Sequence, residues 1–206
     1  MFKTPVIVFE GIEGSGKSLH LNNLSNYLKK KKIGHIKLRE PGGSINSEKI
    51  RKLILNNKSN FNSNTDLLLY LASRSENIVE LKKNYKKKVI IIDRFTDSTL
   101  AYQHFGMGIN KSFIKTLNKY ILKDFKVDFT FLNTVNKSNM IKRLKSRKKL
   151  NRYDKFHIDF YDRVQKGYLK ISRMNKNKYQ IINSNIDIKK NKELIIKKVD
   201  QLLKWI

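Results

Sequence analysis

The chain has 206 residues, a formal net charge of +28 and no cysteine. The lack of cysteine excludes disulfide frameworks and thiolate metal sites, and the length predicts one domain that buries a substantial core. Because no signal-peptide pattern and no apolar run of membrane-spanning length occurs, we expect a cytoplasmic protein without a membrane partner. The lysines are spread over most segments, so we expect no specific nucleic-acid partner and only nonspecific binding at low salt.

The first predicted elements enclose a glycine-rich loop. Residues 11–18 read G-I-E-G-S-G-K-S and fit the phosphate-binding pattern G-x-x-x-x-G-K-[ST] at every fixed position. A strand pattern at 5–10 precedes the loop and a helix pattern at 17–32 follows it. In that context Lys17 would contact the β- and γ-phosphates of a nucleotide and the Ser18 hydroxyl would hold Mg²⁺. An ordinary glycine-rich turn is the alternative. The predicted nucleoside triphosphate site comprises Gly11, Glu13, Gly14, Ser15, Gly16, Lys17, Ser18 and Leu19.

Further along the chain, apolar strand-like runs alternate with helical patterns. After the strand at 5–10, strands are predicted at 35–39, 88–93, 127–132 and 178–182. The predicted helices span 17–32, 44–56, 64–84, 110–123, 136–148, 156–175 and 188–204. Alternating strands and helices connect by right-handed crossovers into a parallel sheet. With the phosphate loop, the pattern predicts an α/β fold of the P-loop NTPase class, in three layers, with five parallel strands, helices on both faces and a small lid.

Two charged segments lie where such a fold places its ligands. The strand at 88–93 ends in Asp93-Arg94. Because the carboxyl ends of parallel strands form the ligand crevice, both residues are predicted to lie beside the phosphate loop. A capping Asp paired with its neighbour is the alternative. The basic segment at 142–155 is either a solvated helix end or a lid, at about 146–156, that closes on phosphates. The phosphate loop favours the lid.

Four further motifs, in order along the chain, resemble those of the thymidylate kinase family. Residues 39–43 read R-E-P-G-G, and E-K-I-R follows at 48–51. Residues 69–74 read L-Y-L-A-S-R, and 93–103 read D-R-F-T-D-S-T-L-A-Y-Q. The segment 151–169 begins N-R-Y-D and ends G-Y-L, which is similar to the family's lid pattern D-R-x-E and the helix after it. The resemblance runs nearly from end to end and implies transfer of the γ-phosphate of ATP to dTMP, for dTTP synthesis.

The resemblance also implies a role for individual residues toward dTMP. Tyr70 would stack on thymine, Arg74 would donate to a base carbonyl and Thr99 would meet the N3 edge. Tyr102 would crowd the sugar 2′ position, so that deoxyribose is preferred. The monophosphate would be held by guanidinium groups, which suit bidentate phosphate contacts. The implied acceptor site comprises Glu13, Arg39, Arg51, Tyr70, Arg74, Arg94, Ser98, Thr99, Tyr102 and Gln103.

On the donor side, the resemblance implies that Arg143 packs against adenine and that Asp93 supports Mg²⁺ together with Ser18. Glu13 would bond the 3′-hydroxyl or organise the metal's water. Because Gly14 stands where some members carry a loop arginine, the resemblance assigns the catalytic arginines to the lid, as Arg147 and Arg152. It also implies a homodimer.

Three positions depart from the family's pattern. Met107 stands where G-x-G-R-G is usual, Asn151 replaces the lid Asp, and Asp154 replaces the lid Glu. The first departure removes a phosphate-binding or structural arginine. The other two change the lid's geometry but leave it basic.

A phosphate monoester acceptor has a second pKa of about 6 and needs no general base at pH 7. Catalysis then consists of aligning two polyanions and neutralising their charge, with Lys17, Mg²⁺, Arg94 and the lid arginines as the means. Another P-loop nucleotide or deoxynucleoside kinase is the first alternative, and a nucleoside acceptor would require Glu40 or Glu13 as base. A switch GTPase or a nucleic-acid-binding ATPase is the second, although no guanine-reading N-K-x-D stretch occurs.

Overall fold

The five predicted strands form one parallel sheet in the computed structural model, which describes residues 4–204. The strand order is β2-β3-β1-β4-β5, so β1 lies at the centre between β3 and β4. The strands are β1 (Val6–Glu10), β2 (His35–Arg39), β3 (Val89–Asp93), β4 (Phe129–Thr134) and β5 (Tyr179–Asn183). The predicted fold class is confirmed.

Eight α-helices connect and cover the strands within the described residues. They are α1 (Lys17–Lys30), α2 (Ile45–Leu55), α3 (Ser63–Asn84), α4 (Thr96–Thr99), α5 (Lys111–Leu122), α6 (Lys137–Lys145), α7 (Ile158–Met174) and α8 (Ile188–Leu203). A π-helical segment spans Leu100–Gly106, and short 3₁₀ turns span Arg152–Lys155 and Lys176–Lys178. None of the helices in the part of the chain that is described has both the length and the apolar character to cross a membrane.

The sheet is covered on both faces because side chains alternate along each strand. On β1, Ile7 packs in one apolar cluster with Leu24 of α1 and Val199 of α8. Val8 points to the opposite face and packs in a second cluster with Ile78 of α3. The central strands are therefore buried on both faces, which explains why their sequences are continuous apolar runs rather than alternating ones.

The helices begin where the sequence places short polar side chains. Asn62 accepts a hydrogen bond from the backbone N–H of Thr65 (2.9 Å) at the start of α3, and Asn110 and Asn136 cap α5 and α6 in the same way. The helix that was predicted at 136–148 is shorter in the structure. Helix α6 ends at Lys145, and the segment after it contains the 3₁₀ turn Arg152–Lys155.

Candidate active site

The glycine-rich loop joins β1 to α1 at the carboxyl edge of the sheet. Gly11 has a φ of 142°, and a Cβ added there would lie 2.2 Å from the carbonyl oxygen of Asn133 on β4. Gly16, the N-cap of α1, has a φ of 80°. Both positions require glycine because a side chain would clash at the first and strain the backbone at the second. The loop can therefore lie directly against β4.

Lys17 lies folded over this loop. Its ammonium donates to the carbonyl oxygens of Gly11 (2.9 Å) and Ile12 (2.8 Å), and its side chain is buried. Burial, and after it the nearby charge of Arg94, lower the pKa of Lys17 to about 8. A buried cation that bonds only to neutral acceptors is poorly compensated, and a polyphosphate would supply the missing negative charge.

Arg143 reaches the loop from α6. It donates from Nη1 to the carbonyl oxygen of Gly14 (2.8 Å) and from Nη2 to that of Ser184 (2.6 Å), so its guanidinium bridges the loop and the segment after β5. Ser15 is buried and donates to the Ile12 carbonyl oxygen (2.7 Å), whereas Leu19 is half-exposed on the first turn of α1. The predicted donor-site residues therefore surround the loop.

Ser18 and Asp93 meet at the mouth of the loop. The Ser18 hydroxyl donates to Oδ2 of Asp93 across 2.8 Å. A hydroxyl and a carboxylate are ligands of the kind that Mg²⁺ takes beside nucleotide phosphates and water. Among residues 4–204 no cluster of three or more His, Cys, Asp and Glu side chains could hold a metal by itself. The residues present therefore fit a Mg²⁺ ion that a nucleotide brings with it.

Arg94 connects the loop to the rest of the cavity. Its Nη2 donates to Oε1 of Glu13 (2.8 Å), and its guanidinium lies 5.0 Å from the ring centre of Tyr102. The Tyr102 hydroxyl donates to the other oxygen of Glu13. Arg94 also has a φ of 67°, a conformation that is uncommon outside glycine and that often marks functional positions. The three side chains form one closed group.

Glu10 bonds side chains that contact Arg94, and it was not among the predicted site residues. The carboxylate is the last residue of β1 and is fully buried. It accepts hydrogen bonds from the backbone N–H of Phe95 (2.8 Å), the Ser98 hydroxyl (2.6 Å) and the Tyr168 hydroxyl (3.0 Å). An acidic residue at the end of an otherwise apolar strand was the available signal, because such an end faces the ligand crevice.

Arg74 lies at the opposite end of the cavity and is 1% exposed. Its guanidinium pairs with Glu40 through Nε (2.8 Å) and Nη2 (2.6 Å). Nη1 donates to the Thr99 hydroxyl (2.9 Å) and to Oδ1 of Asn118 on α5 (2.6 Å). Counting the five N–H groups of a guanidinium, one on Nη2 is left for a ligand. Asn118 was not predicted as part of this site, and Glu40 was named only as a possible base for a nucleoside acceptor.

Two further side chains at this end fit a planar polar ligand. Tyr70 stands edge-on to the ring of Tyr153, with 5.8 Å between ring centres, and its own ring lines the cavity. Gln103, in the π-helical segment, is buried, and its amide nitrogen has no hydrogen-bond partner within residues 4–204. A buried amide that lines a cavity and lacks a partner is costly unless a ligand or water bonds it.

The guanidinium groups of Arg39, Arg51 and Arg94 line the same cavity. Arg39 pairs with Glu48 (3.0 Å), and Arg51 donates to the carbonyl oxygen of Pro41 (2.6 Å). Burial, and after it the charge of Arg39, lower the pKa of Arg51. Positive charge is therefore crowded around Arg51, which has no carboxylate partner of its own among the ion pairs of residues 4–204, as at a site built for an anion.

The two predicted lid arginines lie in different places. Arg147 lines the cavity and donates to the Asp154 carboxylate. Arg152 does not line it: its guanidinium donates to Asp66 of α3 and to the carbonyl oxygen of Ile54 (3.1 Å). Arg152 therefore links its own segment to α2 and α3 in this conformation, and it does not line the cavity.

One cavity thus gathers most of the predicted acceptor and catalytic residues. It is lined by Glu13, Lys17, Ser18, Arg39, Arg51, Tyr70, Arg74, Asp93, Arg94, Ser98, Thr99, Tyr102, Gln103 and Arg147 from the prediction, and in addition by Glu40, Pro41, Leu55, Phe95, Asn151 and Tyr153. Met107, where an arginine was expected, packs against an apolar cluster instead.

Comparison with known proteins agrees with this geometry. Residues 9–195 match the family model described as thymidylate kinase. The chain is 40% identical over 173 residues to the thymidylate kinase of Thermosipho africanus, covering 83% of this chain and 86% of the relative. It is 36% identical to that of Acholeplasma laidlawii, covering 96% and 98% of the two chains. The crystal structure of thymidylate kinase from Ehrlichia chaffeensis superposes with a TM-score of 0.77 at 32% identity, covering 95% of this chain and 98% of that one.

Proposed function

The chain belongs to the thymidylate kinase family, and we propose that the cavity holds dTMP and the phosphate end of ATP together for phosphoryl transfer. The enzyme is a dTMP kinase, which converts dTMP to dTDP with ATP as the phosphate donor. One observation carries the assignment of the cavity. The guanidinium groups of Arg39, Arg51 and Arg94 line the same cavity as the hydrogen-bonded pair Arg74 and Thr99 and as Lys17 of the phosphate loop.

At the base end, the remaining N–H of Arg74 would donate to a thymine carbonyl. The Thr99 hydroxyl and the unpaired amide of Gln103 would meet the other polar edges of the base, and Tyr70 would stack on its face. Arg74 and Thr99 are held before the ligand arrives, because Glu40 orients Arg74 and Arg74 bonds the Thr99 hydroxyl. Preorganised donors in a buried pocket discriminate strongly against a base with a different pattern of acceptors.

At the sugar, Tyr102 would occupy the space that a 2′-hydroxyl needs. Its ring is fixed by the hydrogen bond to Glu13 and by the contact with Arg94. Burial raises the pKa of Tyr102 above its usual range, so the phenol keeps its proton and remains a donor. Glu13 would accept a hydrogen bond from the 3′-hydroxyl or from a water at the metal.

At the phosphates, Arg39, Arg51 and Arg94 would hold the acceptor phosphate, while Lys17 and the loop hold the β- and γ-phosphates of ATP. Ser18 and Asp93 would hold Mg²⁺, which supplies positive charge to the transferring group. The acceptor is mostly dianionic at pH 7, because its second pKa is about 6, so no side chain has to remove a proton. Alignment and charge neutralisation then account for the chemistry.

In the lid, Arg147 would reach the transferring phosphate, and Arg143 would pack against adenine. The catalytic role of Arg152 stays a prediction, since its guanidinium bonds Asp66 and Ile54 in this conformation. The lid itself, at about 146–156 within a single domain, is likewise our proposal.

A homodimer also stays a prediction. The adjacent helices α3 and α5 expose the apolar side chains of Leu68, Val79, Phe113 and Tyr120 to between 49% and 77%. An apolar surface of this kind, on two packed helices, supports a contact with a second copy, and the mass from sedimentation equilibrium measures it. The cytoplasmic location and the absence of a specific nucleic-acid partner remain expectations from the sequence.

A coupled assay that follows ADP release tests the function. The purified chain is given ATP and Mg²⁺ with dTMP, dCMP, UMP or thymidine in turn. We expect the highest kcat/KM with dTMP and no turnover of thymidine, because the cavity offers three arginines for a phosphate and no arranged base for a hydroxyl. Tyr102→Ala should raise the activity on UMP relative to dTMP. Lys17→Ala, as the control, should lower turnover by about a hundredfold or more. Equal activity on dCMP and dTMP would overturn the assignment of the base end.

A further inference from the structure

We propose that Asp154 is a positioning residue for Arg147, and that Asn151 and Asp154 act as one unit that fixes the lid guanidinium over the cavity. The proposal rests on the proposed role of Arg147. Asp154 is central because its side chain is fully buried while that of Arg147 is 38% exposed. One carboxylate oxygen, Oδ1, accepts from Nη1 of Arg147. A buried anion therefore holds an arginine that reaches into the cavity.

Asn151 fixes the carboxylate in turn. Oδ2 of Asp154 accepts from the backbone N–H of Asn151 (3.0 Å) and from its side-chain amide (2.6 Å). The Asn151 side-chain oxygen accepts from the backbone N–H of Tyr153 (2.8 Å), which closes a reciprocal cap at the start of the 3₁₀ turn. Asp154 therefore has two donors from Asn151 besides Arg147, and these two keep its carboxylate in place if Arg147 moves.

Arg147 keeps capacity for a second anion. Within residues 4–204 Asp154 is its one hydrogen-bond acceptor, so most of the five N–H groups of its guanidinium are uncommitted. A planar guanidinium held at one edge presents its other edge in a defined direction. The uncommitted edge belongs to a side chain that lines the cavity.

Asp154 positions Arg147 and does not have to release it before phosphate binds. If Arg147 left Asp154 to bind phosphate, the buried carboxylate would lose its charged partner, which is strongly unfavourable. Keeping the Asp154 contact while the free edge binds phosphate avoids this cost. We therefore infer that the ion pair persists during phosphoryl transfer.

The same geometry links the two lid positions that depart from the D-R-x-E pattern. The Asp154 carboxylate accepts from the side-chain amide of Asn151, a donor that a carboxylate at position 151 could not supply. A carboxylate at 151 would place two anionic oxygens where a 2.6 Å hydrogen bond now lies. The two departures are therefore a matched pair, and Asn151→Asp alone should disturb the lid.

The experiment is a double-mutant cycle on steady-state kinetics. Asp154→Asn keeps the side-chain volume but removes the charge, and Arg147→Ala removes the guanidinium. We expect each to lower kcat, Asp154→Asn by about tenfold, because a small displacement of a charge-stabilising group costs this much. The KM for dTMP should stay within about twofold. In the Arg147→Ala background, Asp154→Asn should have no further effect on kcat, which a merely structural role would not produce.

Three further variants complete the design. Asp154→Glu keeps the charge and should retain more activity than Asp154→Asn. Asn151→Ala removes the amide donor to Asp154 together with the cap on Tyr153, and it tests the same unit if Asp154→Asn proves unstable. Asp159→Asn changes an exposed carboxylate on the first turn of α7, 67% exposed beside His157, and should leave kcat unaltered.

The outcomes separate the two proposals. If Arg147→Ala keeps normal kcat, the proposed role of the lid arginine fails, and this inference fails with it. If Arg147→Ala lowers kcat but Asp154→Asn leaves it unchanged or raises it, only the positioning role is overturned. Multiplicative losses in the double variant would also overturn it, because independent effects multiply.

Discussion

The two ends of the cavity compensate their positive charges in different ways. At the base end, Arg74 is buried and its charge is matched by Glu40 at 2.6 Å. At the phosphate end, Lys17 bonds to neutral carbonyl oxygens, and Arg51 lies beside Arg39 with its pKa lowered. The charge at the base end is therefore balanced without a ligand, whereas the phosphate end carries charge that a ligand would balance. On the proposed function, Arg74 is already oriented for the base in the folded protein, and a polyanion would supply the charge that the other end lacks.

The largest expected effect is on the base end. Arg74→Ala leaves Glu40 buried without its partner, so we expect the free energy of unfolding to fall by about 3–5 kcal/mol, as when one member of a buried ion pair is removed. Urea denaturation at pH 7.5 measures it. The matched control is Arg74→Met combined with Glu40→Gln, which removes both charges and should recover much of the stability while dTMP binding stays weak. Equal losses in both variants would show that packing, and not the unpaired carboxylate, dominates.

The phosphate end should respond in the opposite way. Arg51→Met removes a charge that no carboxylate at the cavity fully compensates, so we expect stability to stay the same or rise. Affinity for dTMP should weaken by about tenfold or more, the worth of a charge-assisted hydrogen bond to phosphate. Thermal melts without ligand and calorimetric titration with dTMP measure the two quantities. An Arg51→Met variant that loses stability and keeps its affinity for dTMP would contradict the proposed difference between the two ends.

The smallest expected effect is the uptake of a proton by Lys17 when a nucleotide binds. Burial and Arg94 lower the pKa of Lys17 to about 8 in the free protein, and bound phosphates would raise it. Above about pH 8 the free lysine is increasingly neutral, so nucleotide binding takes up a proton and affinity for ATP falls as pH rises further. Titration calorimetry at pH 8.5 in two buffers of different ionisation enthalpy measures the uptake. Lys17→Arg, which stays protonated throughout, should show none of this uptake from position 17.

The central strands β1 and β3 were predictable from sequence because they are continuous apolar runs buried on both faces, whereas the edge strand β2 alternates apolar and polar residues. All five lie within two residues of their predicted bounds. The segment from Thr96 to Gly106 was not predicted as helical. Helix α4 has only four residues, and the π-helical turns after it do not follow the 3.6-residue period that identifies an α-helix. This segment carries Thr99, Tyr102 and Gln103 into the cavity.

The residues of the candidate site likewise fall into those that local sequence patterns predicted and those that they did not. Residues inside local motifs, such as Lys17 and Arg94, were found because a motif is read from consecutive positions. Glu10 and Asn118 were missed because their roles depend on partners that are distant in the chain: Glu10 bonds Ser98, and Asn118 bonds Arg74. The direction in which Arg152 points follows from the docking of the lid on α3, which no local pattern shows.

The buried carboxylate of Glu10 has a consequence for the order in which the site is assembled. Glu10 ends the first strand, yet one of its donors, the hydroxyl of Tyr168, follows 158 positions later in the chain. The same hydroxyl accepts from Nη1 of Arg94 (3.3 Å). Arg94 and its full set of hydrogen-bond partners therefore come together only once α7, which follows four of the five strands in the chain, has packed against the sheet.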